Sequence, residues 1–63
     1  MEWNTEQRIE TARAIAAILR EESRGIIMSG RAFELSELIL FVLTMPASVL
    51  NANRDKYQEF CAF

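Results

Sequence analysis

Apolar residues recur at helical spacing along most of the chain. Beyond Asn4 and Thr5, the residues Ile9, Ala12, Ile15, Ala16 and Leu19 form a stripe with the 3.6-residue period of an α-helix. Glu6, Glu10, Arg13, Arg20 and Arg24 fall on the other side. Asn4 followed by Gln7 has the form of a capping box, in which each side chain satisfies the other residue's backbone N–H; Thr5 is the alternative cap. Gly25 supplies a residue type that commonly stops a helix. The pattern predicts a first helix over about 5–24.

The next six residues, Gly25 to Gly30, are bounded by glycines and too short for a helix of their own. They are read as a connector in which Ile26, Ile27 and Met28 tuck against the core, in preference to a strand that would need a partner. Ser29 can cap a second helix over about 31–44. The polar residues Glu34, Glu37 and Thr44 leave this helix a narrow wet strip, interrupted by Phe33 and Phe41. A helix that is apolar nearly all round is covered on several sides. Pro46 ends it, because proline lacks the N–H and disfavours helical geometry at Met45.

From Pro46 onward, Val49, Leu50, Asn53, Tyr57, Phe60 and Cys61 align on one face, which predicts a third helix over about 46–62. Its weak point is Asn51-Ala52-Asn53, where either Asn can cap a fresh, shorter helix. The expected fold is all-α, a single three-helix bundle-like domain over 1–63.

Size then becomes the deciding constraint. A chain of 63 residues buries only roughly 60% of the surface exposed by its unfolded state, so small domains usually rely on disulfides, a metal, self-association or very good packing. One cysteine, Cys61, excludes an internal disulfide, and the absence of histidine removes the ordinary zinc ligand sets. Hydrophobic residues make up 51% of the chain and charged residues 25%, which excludes a disordered polypeptide. Such a chain has little interior for so many apolar groups. The second helix has more apolar circumference than two neighbours can cover, so a symmetric homodimer is expected, with Leu38, Phe41, Val42 and Met45 near the two-fold axis.

Chemistry is sparse. Histidine, the most frequent acid–base residue, is missing, and Cys61 among Tyr57, Phe60 and Phe63 reads as an inert apolar thiol. Glu34 and Glu37 read as a solvated helix face. Gly25 and Gly30 do not form a phosphate loop. No enzyme activity and no cofactor are expected. The aromatic residues read as core or interface groups; Trp3 can fold back over the first helix or reach a second subunit.

Arg13, Arg20 and Arg24 share one side of the first helix and form the one basic stripe, suited to phosphates or an acidic partner. Glu10 and Glu21 precede Arg13 and Arg24 by three residues and partly neutralise them. A net charge of −2 gives no general attraction to nucleic acid. A helix-turn-helix reader would need a shorter turn and a more basic second helix; the turn around Arg54, Lys56 and Gln58 is the better candidate for base contacts.

The start of the chain lacks the features of a signal peptide, and its apolar runs fall short of a bilayer span, so a cytoplasmic protein is expected. The functional expectation is a small regulatory or adaptor protein whose partners are itself and another protein. A small nucleic-acid-binding transcriptional regulator is the alternative.

Overall fold

A computed structural model describes residues 2–22, 24 and 30–61. The expectations for the connector, for the Ser29 cap and for Phe63 fall outside these residues. Every regular element among the described residues is a helix, in the order α1 (Thr5–Glu22), α2 (Gly30–Thr44), α3 (Ala47–Ala52) and α4 (Arg54–Tyr57).

The start of α1 is the capping box expected from the sequence: the Gln7 N–H donates to Asn4 Oδ1 at 2.8 Å and the Asn4 N–H donates to Gln7 Oε1 at 3.3 Å. The helix stops at Glu22, short of the expected residue 24, and Arg24 lies in a turn. At the other end of the hairpin, α2 closes with the Met45 N–H donating to the Phe41 carbonyl at 2.9 Å, and Pro46 adopts an extended conformation (φ −59°, ψ 151°) as the cap of α3. The proline therefore ends one helix and opens the next, with only Met45 and Pro46 between them.

The single third helix expected over 46–62 is corrected to two short ones. Asn53 leaves helical geometry at φ −111°, ψ 20°. Its side-chain amide donates to the Val49 carbonyl at 2.8 Å, an acceptor that the Asn53 backbone N–H also uses at 3.1 Å. Asparagine competes with the regular ladder in this way because its amide reaches nearby main-chain groups. α4 starts at the next residue, and a last turn follows, with the Phe60 and Cys61 N–H groups donating to the Tyr57 carbonyl. The inward face predicted for this stretch survives the break: Leu50, Tyr57 and Phe60 are all buried.

α1 and α2 form an antiparallel hairpin, with the start of α1 level with the end of α2 through Arg8. The chain then returns along one face of the hairpin. Asn51 lies against Trp3, Tyr57 against α2 at Leu38, and Cys61 against Thr11 in the middle of α1. The core in the middle is built from Trp3, Ala12, Ile15, Leu35, Val42, Leu50, Tyr57 and Phe60.

Trp3 folds back within its own chain. Its ring is buried, meets Tyr57 edge-on with centroids 5.7 Å apart, and donates from Nε1 to Asn51 Oδ1 at 3.0 Å. Edge-to-face packing suits the aromatic quadrupole, and the indole N–H has the partner it needs when buried. The backbone of Trp3 sits at φ 51°, a left-handed conformation that L side chains adopt at a cost. Arg8 holds it there: Nε donates to the Trp3 carbonyl at 2.8 Å, while Nη1 donates to the Met45 carbonyl at 2.6 Å and reaches the Val42 carbonyl at 3.4 Å. One guanidinium thus joins the chain start to the last carbonyls of α2, where a positive charge also complements the helix dipole.

Candidate protein-interaction site

Orientation of α2 decides which of its apolar residues are free to bind. Leu35 and Val42 face the core and are fully buried, and Ala32 is enclosed as well. Leu38, Ile39 and Met45 are half-buried against the core cluster. The outward residues are Phe33, Leu40, Phe41 and Leu43, exposed by 59%, 62%, 43% and 46%. Four large apolar side chains on one helix of 15 residues are left to water.

Of the expected interface set, Val42 is corrected: it is an interior residue of its own chain and has no surface to offer. Leu38 and Met45 show only part of their side chains, and Phe41 is outward as expected. The free edge consists of Phe33, Leu40 and Leu43, which follow one another with Ser36 at steps of three, four and three. That spacing makes a straight seam along one side of a helix. Phe41 stands apart from it and lines a depression of about 80 Å³ with Glu37, Leu38, Asn53, Lys56 and Tyr57. This is too small for an ordinary ligand pocket, which takes roughly 300–1,000 Å³. Burial in this region pushes the Tyr57 hydroxyl above its ordinary pKa.

Beside the depression, Arg31, Glu34, Glu37, Asp55, Lys56 and Glu59 line an open groove between α2 and α4. All six are exposed, and Arg31 meets Glu59 at 3.3 Å. Glu34 and Glu37 are part of this solvated rim. Among the described residues, no three His, Cys, Asp or Glu side chains are grouped so as to hold a metal ion. Cys61 is half-buried, with Sγ 3.9 Å from the Thr11 hydroxyl.

The basic residues Arg13, Arg20 and Arg24 are all exposed. Arg24 lies beyond the end of α1 and pairs with Glu21 at 3.7 Å, a contact between two mostly exposed side chains that contributes at most about 1 kcal/mol. Glu10, three residues before Arg13, forms no direct ion pair with it among the described residues. The stripe is therefore Arg13 and Arg20 on the helix, with Arg24 beyond its end.

Sequence reasoning missed Arg8 altogether. A long charged residue in the first half of an amphipathic helix reads as surface, and nothing local signals carbonyl partners 34 and 37 residues away. Thr11, also unmarked by the sequence, is fully buried and donates to the Gln7 carbonyl at 2.9 Å.

Among the described residues, no helix is long and apolar enough to cross a membrane. No family model matches the chain, and neither does any curated protein or solved structure.

Proposed function

We propose that this chain works by binding, as a helical homodimer that regulates or adapts a larger macromolecule, and that it catalyses no reaction. The observation that carries this reading is the outward set Phe33, Leu40, Phe41 and Leu43 on a helix whose opposite side already fills the core. Large contiguous apolar surface on a small protein marks a place where another protein docks. Aromatic and leucine side chains presented from one helix are the usual anchors of a helix-in-groove or helix-on-helix contact. The α2–α4 groove, of about 360 Å³, is open to solvent and rimmed by six exposed charged side chains, a lining that suits contact with another protein.

Sedimentation equilibrium at micromolar concentration tests the reading, followed by capture of partners from the native host and identification by mass spectrometry. A mass of twice the 7.3 kDa chain is the expected result. A single-chain mass at every concentration tested, with full helicity, rules out the homodimer.

A second reading, a nucleic-acid-binding regulator, draws on the exposure of Arg13 and Arg20 without carboxylate partners among the described residues. It predicts binding to mixed DNA that strengthens as salt is lowered. No detectable binding at low salt removes it.

A further inference from the structure

The segment ahead of α1 is held differently from the helices. Trp3 lies outside any helix, and its backbone at φ 51° is the one left-handed non-glycine conformation among the described residues. A tryptophan is strained there, because its Cβ crowds the following carbonyl oxygen. The ring is nonetheless 2% exposed, and burial of so large a side chain keeps this arrangement dominant. Strain and burial thus oppose each other at a single residue.

The groups that receive Trp3 are secured without it. Arg8 donates to the Met45 carbonyl at 2.6 Å as well as to the Trp3 carbonyl. Asn51 is carried by α3 and Tyr57 by α4, and the Tyr57 hydroxyl donates to the Leu38 carbonyl at 3.4 Å. α1 is closed from Asn4 onward: Asn4 Oδ1 accepts from the Gln7 N–H at 2.8 Å, and the Asn4 carbonyl accepts from the Arg8 N–H at 3.0 Å. Departure of Trp3 therefore leaves the start of α1 and the end of α2 in place.

The indole also has a way out. Asn51, which accepts from Trp3 Nε1 at 3.0 Å, is itself exposed, so that edge of the ring lies at the surface of the fold. Water can take up the Asn51 amide once the ring has gone.

We propose that Glu2 and Trp3 form a strap that swings open about Asn4 while α1 to α4 stay folded. The closed state holds the buried ring under backbone strain, and the open state relieves the strain at the expense of burial. Opening frees the indole and uncovers the edge of Tyr57, aromatic groups of the kind that anchor protein contacts. Few contacts break, so the opening is local and occurs far more often than unfolding of the whole chain.

Native-state hydrogen exchange, followed by NMR on the full wild-type chain at increasing urea and one protein concentration, tests the strap. The chain has one tryptophan, and its indole N–H gives a single signal. The backbone amides of Ile15, Leu35 and Val42, buried on α1 and α2, report opening of the helices. After correction for intrinsic rates, the indole N–H should exchange at least about tenfold more readily than these amides. Its urea dependence should be measurable but less than about half as steep, since releasing one ring exposes far less surface than unfolding does. Equal protection with equal slope would mean that Trp3 leaves only with the whole core, which overturns the strap. A slope of zero would mean that the Nε1 bond breaks with the ring still in place, and it overturns the strap as well.

Discussion

Replacing Arg8 with methionine keeps most of the aliphatic stem and removes the guanidinium that joins the chain start to the end of α2. Two of its contacts are strong, at 2.6 Å to the Met45 carbonyl and 2.8 Å to the Trp3 carbonyl; the third, at 3.4 Å to Val42, is marginal. A hydrogen bond from a charged donor contributes about 1.5–3 kcal/mol. Arg8 is only half-buried, so water replaces part of what is lost, and the dipole contribution at the α2 terminus adds about 0.3–1 kcal/mol. The expected loss is about 2–3 kcal/mol. At about 0.05–0.15 kcal/mol per residue, a chain of 63 residues has few kcal/mol to lose. The melting temperature should fall by about 10–20 °C, taking about 4–8 °C per kcal/mol for a domain of this size.

Urea and thermal denaturation, followed by circular dichroism and Trp3 fluorescence, provide the assay, at one protein concentration because the proposed self-association would couple to stability. Arg8→Lys should recover less than half of the loss, since a single ammonium cannot fork between two carbonyls as the planar guanidinium does. If Arg8→Met unfolds within about 0.5 kcal/mol of wild type, the guanidinium does not hold the chain start against α2 and the reasoning fails.

Other positions give further tests. Asn4→Ala removes the side-chain half of the capping box and should cost about 1 kcal/mol in urea denaturation. Leu35→Ala empties a fully buried site and should cost about 2–5 kcal/mol, whereas Leu40→Ala, at a mostly exposed site, should leave the folding of each chain nearly unchanged and weaken self-association. Tyr57 predicts an alkaline limit. Its raised pKa means the native state holds the phenol proton longer than the unfolded chain, so stability is intact below pH 10.0 and falls as pH rises beyond it. Tyr57→Phe should flatten that decline above pH 10.0; an unchanged alkaline profile would assign the decline to other groups.

The contrast between these positions shows which features a sequence carries in itself. Asn4 and Gln7 lie within one turn, and their bond is local chemistry. Pro46 stops α2 through its own ring. The inward face through Leu50, Tyr57 and Phe60 follows from periodicity, because polar residues mark the opposite side, whereas the stripe of α1 holds in part: Ala12 and Ile15 are buried, but Ile9 is 40% exposed and Thr11, outside the stripe, is fully buried. α2 lacks such a mark. With apolar residues all round, nothing in its own pattern says whether Val42 or Leu40 turns inward. The choice is made from outside the helix, by Arg8 at its end and Tyr57 at its flank, through contacts that span 19 to 37 residues. Hence the pattern alone sets Val42 on the outer side of α2, whereas the structure buries it. The break at Asn53 has a similar cause: the spacing continued a helical face, but one amide that takes the Val49 carbonyl was enough to divide it.

The most direct test of the account compares wild type with Leu40→Glu by sedimentation equilibrium at micromolar concentration. The expected outcome is a wild-type mass of twice 7.3 kDa and a helical Leu40→Glu chain at the single-chain mass. Wild type at 7.3 kDa with full helicity, or a Leu40→Glu dimer as tight as wild type, would contradict it.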